Sequence, residues 1–337
     1  MKETEEKLFQ ALFKDDMKDW KLIDGNWVKK EENEVKLGTQ LGGWASQSGS
    51  SFRAVPHIEK ILPPNIYTFR KSDEGLFFDK QLFPTDFPVP LPGLPCEYIV
   101  NQINTFWNKS DEYEHYGLVH KRGILLYGEP GCGKTSIIRL LSDAIIKQGG
   151  VVFSISDFEL ASEFCQEFRR AEPKRPILTI QEDIEGFFTG DEASAQTKAA
   201  LSFLDGQDQV SNICHVATTN EPHKIADRFI KRPGRFDLVI GIHEPKEETR
   251  RAYLQHVCKN QIKEEQLSVL TKKTDGLGLA YLREIAASYL CLGIEIDETL
   301  ERLKKNKKTG AFKNNNAKQM GFTIGYENGS DLEKEDE

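Results

Sequence analysis

The sequence predicts an α/β fold, a parallel sheet with helices on both faces, followed by an all-α unit. Three observations predict it. Between residues 123 and 242, short apolar runs alternate with helical patterns, which implies strands joined by covering helices. A glycine-rich turn, Gly128–Thr135, joins the first run to the first helix. From Glu247 to about Leu303 the pattern is helical, with no strand.

Each element follows in order. In residues 1–20, Leu8, Phe9, Leu12, Phe13, Met17 and Trp20 recur at helical spacing and form one apolar face, read as a docking helix. Residues 28–36 are charged, and 42–51 are rich in Gly and Ser, hence loop-like. Ile66–Phe69 and Gly75–Phe78 flank a polar turn and read as a β-hairpin. Residues 1–95 are thus expected to form a small α+β region for a substrate or partner. Prolines 84, 88, 90, 92 and 95 fix φ and cannot donate to a sheet, giving a stiff linker and a boundary near residue 95.

A helix over Tyr98–Trp107 precedes the alternation. Strands are expected at Gly123–Tyr127, Val151–Ile155, Ile177–Glu182, Asn212–Ala217 and Phe236–Ile242. Helices are expected from Lys134, over Phe158–Arg170, over Ala193–Leu204 and near Ile225–Ile230. The α/β domain spans 96–245, the helical unit 246–303, and a flexible charged tail 304–337. Lys304, Lys305, Lys307, Lys308, Lys313 and Lys318 make the tail's first part basic, and 327–337 is acidic.

Net charge is −8 over 337 residues, so global charge gives no reason to expect nucleic-acid binding. No apolar run approaches the length of a membrane span, and the charged N-terminus has no apolar signal region. The six cysteines are scattered without CxxC spacing, which argues against a zinc knuckle. Cys132 lies inside the glycine-rich turn, where a disulfide would hinder ligand binding. A reducing, cytoplasmic setting is expected.

Gly128-Glu129-Pro130-Gly131-Cys132-Gly133-Lys134-Thr135 matches GxxxxGK[ST] between an apolar strand and a helix, the context this phosphate-binding loop requires. Glycines let main-chain N–H groups turn toward phosphate, and the helix start, with Ser136 in its first turn, adds a positive dipole end. Lys134 suits the β- and γ-phosphates, and the Thr135 hydroxyl suits Mg²⁺. The ligand expected is ATP with Mg²⁺.

Ile177–Ile180 delivers acids at a strand's C-terminal end, where ligands bind in open α/β sheets. Glu182 is read as the metal-side acid and Asp183 as the acid that orients the attacking water. A shifted register would make Asp183 the metal acid and Glu185 a helper. Asn220, after the next strand, is placed to bond the γ-phosphate or the water. Arg232 and Arg235 flank a Pro-Gly turn, and their planar cations suit phosphate.

With these parts in this order, residues 95–300 resemble the AAA clade of the AAA+ ATPases. GEPGCGKT resembles Walker A, QEDIEGF the Walker B region, ATTN sensor 1 and RPGRFD the arginine-finger segment. The Glu-Asp order, Phe203-Leu204-Asp205-Gly206 and Thr218-Thr219-Asn220 most resemble the subfamily of the mitochondrial Rieske-protein translocase, without its membrane helix. The resemblance implies a nucleotide domain with a helical lid, assembled into a homo-oligomeric ring, with Arg232 and Arg235 acting on a neighbour's ATP. It implies that Tyr116, Gly117 and His120 approach adenine, as does the lid turn Thr274–Ala280; Arg283 follows that turn.

Phe158, Phe164 and Phe168 have spacing that packs a helix, and no aromatic–hydrophobic–glycine pore motif is present. Phe187 and Phe188 are an alternative substrate contact. The function expected is remodelling or disassembly of protein complexes by ATP hydrolysis, with an unknown client. Alternatives are a nucleic-acid-associated ATPase using Lys304–Lys318, and an ATP-gated scaffold or sensor.

Overall fold

The computed structural model describes residues 20–23, 26–29, 43–45, 53–55, 61–73, 75–81, 90–188, 193–205, 210–225, 229, 234–259 and 261–309. Two short antiparallel pairs come first: β1 (Trp20–Ile23) with β2 (Asn26–Lys29), and β3 (Gly43–Ala45) with β4 (Arg53–Val55). Then follow β5 (Ile66–Ser72), β6 (Gly75–Lys80), α1 (Cys96–Trp107), α2 (Ser110–His115), β7 (Lys121–Tyr127) and α3 (Lys134–Lys147). Next are β8 (Val151–Ser154), α4 (Phe158–Ala171), β9 (Ile177–Gln181), α5 (Ala193–Asp205), β10 (Ile213–Thr219) and β11 (Leu238–Gly241). The C-terminal helices are α6 (Glu247–Val257), α7 (Glu264–Lys273), α8 (Leu279–Leu292) and α9 (Ile296–Thr309).

The main sheet has seven strands in the order β11-β7-β10-β9-β8-β5-β6. All pairs are parallel except β5–β6. Central strands buried on both faces need continuous apolar runs, and Ile124, Leu125 and Leu126 of β7 are fully buried. Alternate residues face opposite sides. Ile124 and Leu126 meet α1 and α3 through Ile99, Ile103, Ile137 and Leu141. Leu125 meets α4 and α5 through Ala161, Cys165, Phe203 and Leu204. Phe158, Phe164 and Phe168 are all buried, as their spacing predicts.

The expected hairpin forms, but it belongs to this sheet and not to a separate N-terminal unit. β5 pairs in parallel with β8, through Ile66 opposite Val152. Phe69 stacks on Phe164 of α4 with ring centroids 4.4 Å apart. Leu62 N–H donates to Glu172 Oε1 at 2.8 Å, and Arg175 holds both Glu172 and the Leu62 carbonyl. A boundary at residue 95 therefore cuts through one folded unit.

Smaller differences have local causes. Val28 and Lys29 in the charged stretch, and Gly43–Ala45 in the Gly/Ser stretch, are strands because each finds an antiparallel partner. The helix expected over 1–20 lies outside the described residues, except Trp20, which opens β1. α9 continues to Thr309, so Lys304 and Lys305 lie on a helix and not in a tail; residues 310–337 lie outside the described residues. Near 225 a single tight turn, Pro222–Lys224, is formed, and 226–228 and 230 lie outside the description.

The helical unit packs around Leu254, Leu267, Leu270, Leu282, Ile285 and Leu300, and takes Leu91 from the proline-rich segment into its core. Among the described residues, no helix is long and apolar enough to cross a membrane.

Phe164 is fully buried where the hairpin meets α4. Phe164→Ala should lower the unfolding free energy by roughly 3–5 kcal/mol, measured by chemical denaturation. A loss under about 1 kcal/mol would contradict the packing described.

Candidate functional site

The site grows from the C-terminal end of β7. Gly128 must be glycine, because a Cβ there would lie 2.0 Å from the Ile242 carbonyl oxygen. Gly131 (φ +81°) and Gly133 (φ +109°) adopt left-handed conformations that L side chains rarely take. The loop then enters α3 at Lys134.

Lys134 is 6% exposed, and its Nζ donates to Gly128 O at 2.7 Å, Glu129 O at 2.9 Å and Asn220 Oδ1 at 2.7 Å. Burial pulls its pKa below the ordinary lysine value, while Cys132 and the acids Asp183, Glu185 and Glu129 act in the other direction. Thr135, the next residue, donates from its hydroxyl to Glu182 Oε2 at 2.6 Å.

β9 ends at Gln181, so Glu182 and Asp183 emerge at the same sheet edge as the loop. Asp183 has φ +49°, unusual for a residue with a side chain. Two bonds hold it there: its N–H donates to Thr218 Oγ1 at 3.1 Å, and its Oδ1 accepts from Asn220 Nδ2 at 2.7 Å. Asn220, just past β10, thus bridges Lys134 and Asp183. Its own N–H donates to Glu185 Oε1 at 3.1 Å. Lys134, Thr135, Glu182, Asp183 and Asn220 therefore meet in one place.

A hydroxyl beside a carboxylate is a hard-oxygen donor pair suited to Mg²⁺, which commonly takes one or two protein ligands and completes its shell with phosphate and water. Among the described residues, no group of three or more His, Cys, Asp or Glu could hold a metal alone. Thr135 and Glu182 would hold the ion, and it would offset phosphate charge.

The adenine-side expectation needs correction. His120 is buried between Phe106 and Tyr113, with ring centroids 4.0 and 4.7 Å away, and its Nε2 bonds the Phe106 carbonyl oxygen at 2.8 Å. Burial lowers its pKa. It stands at the start of β7, roughly 23 Å of strand from the phosphate loop. Tyr116 and Gly117 precede it, and Tyr116 is 72% exposed.

The residues that do reach the loop are Leu94 and the start of α8. Leu279 Cδ1 and Leu94 Cδ1 lie 3.1 and 3.6 Å from where a Gly133 Cβ would be. Ala280 N–H donates to Gly131 O at 3.2 Å. A Cβ on Gly278 would lie 2.9 Å from the same oxygen. Arg283 is exposed.

The two arginines also separate. Arg232 lies outside the described residues. Arg235 is 5% exposed and grips Asp205, at the end of α5, through Nε at 2.8 Å and a second nitrogen at 3.2 Å. It is thus a buried ion pair within the chain and not an arginine presented at the surface. Phe187 and Phe188 likewise pack inward, on Phe158 (4.9 Å) and Phe229 (4.7 Å), which leaves them poorly placed to grip a substrate.

Sequence reasoning passed over Leu94, and named Leu279 and Thr218 only within the longer stretches Thr274–Ala280 and Thr218–Asn220. The lid turn expected from the resemblance does reach the phosphate loop, where Gly278 allows the close approach of two main chains. Gly131→Ala would place a Cβ 2.9 Å from the Ala280 Cβ at a left-handed φ, costing roughly 1–2 kcal/mol. It should weaken nucleotide binding about tenfold, read by fluorescent-nucleotide titration. Unchanged affinity would show that the loop tolerates the shift.

Residues 124–244 match the family described as ATPase family associated with various cellular activities (AAA). A Corynebacterium diphtheriae AAA ATPase forming ring-shaped complexes is 27% identical over 189 residues, 49% of this chain and 37% of that protein. An ATP-dependent zinc metalloprotease FtsH of Lancefieldella parvula is 31% identical over 210 residues, 55% and 31% of the two chains. The proteasome-activating nucleotidase of Pyrococcus abyssi is 30% identical over 192 residues, 52% and 48%. The chain thus spans 31–48% of these relatives' lengths. The matched stretch runs from β7 to just past β11 and holds every site residue described above except Leu94 and the lid contacts. Residues 124–244 are therefore similar to the ATPase domain of the AAA family, over the part of the chain that holds the parallel sheet and the phosphate loop.

Proposed function

We propose that this chain is an ATP-driven motor that remodels or disassembles protein complexes, working as a homo-oligomeric ring in the cytoplasm. The observation that carries this reading is the separation of the site along β7. The phosphate loop leaves its C-terminal end. The Arg235 segment is pinned to its first half: Asp237 accepts from Gly123 N–H at 3.1 Å, and Gly123 N is five residues before Gly128. Five residues of strand span roughly 17 Å. Arg235 thus stands far from its own chain's phosphates, which supports a site completed by an arginine from a second copy. Ring formation in a relative's name supports the same arrangement.

In this reading Lys134 binds the β- and γ-phosphates, and Asp183 orients the attacking water and accepts its proton. Asn220 fixes Asp183 and, once Lys134 turns to phosphate, offers its carbonyl oxygen to the water. Arg232 of a neighbouring copy stabilises charge on the γ-phosphoryl group. Arg235 anchors the loop through Asp205. The Glu-Asp order at 182–183 supports a place near the Rieske-protein translocase subfamily. Residues before 61 are the candidates for choosing the client.

Three variants test this. Lys134→Ala should abolish ATP turnover in a phosphate-release assay. Arg232→Ala should keep nucleotide affinity and lose roughly 10³-fold or more in turnover; mixing it with Asp183→Asn subunits should restore part of the rate. Wild-type turnover by Arg232→Ala alone would sink the shared site. Asp183→Asn should hold ATP and retain a bound client in affinity capture, and release of no specific protein on adding wild-type subunits would count against remodelling.

A further inference from the structure

We infer that Glu185 is a positioning residue for hydrolysis, setting Asn220 and through it Asp183. The inference rests on the ATP-hydrolysis reading above. The ladder between β10 and β9 ends at Ala217 opposite Gln181, and that between β10 and β7 ends at Thr219 opposite Tyr127. Asn220 thus leaves the sheet with a main-chain N–H that neither neighbouring strand accepts. Glu185 Oε1 accepts it at 3.1 Å, across 35 residues of sequence.

The chain is shaped to bring Glu185 there. Asp183 turns it at φ +49°, and Gly186 N–H closes the turn on Asp183 O at 2.9 Å. Ile184, fully buried in the core beneath α5, fixes the turn in place. Asn220 is then held at three points: Glu185 on its main chain, Lys134 on its Oδ1 and Asp183 on its Nδ2.

The other carboxylate oxygen of Glu185 is buried and has no hydrogen-bond partner among the described residues. A buried acceptor without a donor destabilises a fold. Space-filling alone would therefore favour an apolar side chain here, and the use of the acid lies in what Oε1 holds. Hydrolysis needs the water-orienting pair set to within a fraction of an ångström. Releasing the Asn220 main chain loosens that pair while leaving the phosphate loop intact.

The test compares wild type, Lys134→Ala, Glu185→Gln, Glu185→Ala and Glu185→Met, the last keeping side-chain length without the acceptor. Each is assayed for kcat and KM for ATP, for fluorescent-ADP affinity and for melting temperature. The expected result is a kcat loss of about 10–100-fold in Glu185→Met, and in Glu185→Ala where it folds. KM and ADP affinity should stay within about threefold, and Glu185→Gln, whose amide oxygen still accepts the bond, should keep most of the rate. Wild-type kcat in Glu185→Met overturns the inference, as does a Glu185→Gln enzyme as slow as Glu185→Met. A parallel loss of ADP affinity in Glu185→Met also overturns it, since a general structural role predicts that loss. Wild-type turnover equal to that of Lys134→Ala would overturn the hydrolysis reading itself, a failure distinct from these.

Discussion

A buried ammonium is the constraint on which the rest of this site depends. Lys134 is almost out of water, and a buried cation is tolerated only when its donors are met. All three donors of Lys134 are met, two by carbonyls of its own loop and one by Asn220. The loop must therefore curl back over its own lysine, which the left-handed glycines allow. The third partner must arrive from β10, two strands' worth of chain later in sequence but next to β7 in space. One cation thereby ties the first and third segments of the motif together. Asp183 joins through the other end of the same amide, so the geometry of the acid follows from that of the lysine.

The parallel sheet makes this convergence possible. Parallel strands bring their C-terminal ends to one edge, and crossovers return the chain to begin each strand at the other. The phosphate loop, the acids and Asn220 all follow strand C-termini. Arg235 precedes β11 and stands at the opposite end, over Gly123, where a Cβ would lie 1.7 Å from the Arg235 carbonyl oxygen. Its bidentate pair with Asp205 is well buried. Removing one partner of such a pair typically costs about 3–5 kcal/mol because the other charge is stranded. The pair therefore fixes Arg235, just before β11, firmly against the end of α5.

Much of this was legible in the residues. β7, β9 and β10 each carry a short apolar stretch, as strands covered on both faces require, and the phosphate loop is read directly from residue type and spacing. The hairpin was legible as two strands, but not as part of the main sheet. Its neighbour β8 lies more than eighty residues away, and short-range alternation carries no information on which sheet a strand joins. Arg235 illustrates a second limit. Its residue type announces a cation for phosphate or carboxylate, and thirty positions of sequence separate it from the carboxylate that claims it. His120 is a third: a histidine near a nucleotide motif looks functional, whereas it is held by aromatic stacking and a carbonyl bond away from the phosphate loop.

The attachments of the ATPase core to its flanking parts are of two kinds. The lid meets the phosphate loop through main chain: Ala280 N–H bonds Gly131 O, and Gly278 passes so close that no side chain fits. Contacts of this type have no rotamers to absorb displacement, so a shift of the loop by a few tenths of an ångström is carried into α8. The hairpin is fixed differently, by sheet pairing, a stacked Phe69–Phe164 pair and the half-sheltered Glu172–Arg175 pair, each side chain 11% exposed, which clasps Leu62. Low exposure limits solvent screening of that pair. Residues 61–72 are therefore tied to the sheet between β8 and β6 by main-chain pairing and by these side chains. Loop and lid share one main-chain contact, and hairpin and sheet share one ladder. The same β-sheet is thus the common reference frame for the phosphate loop at its strand C-termini and for the β5–β6 hairpin at one side.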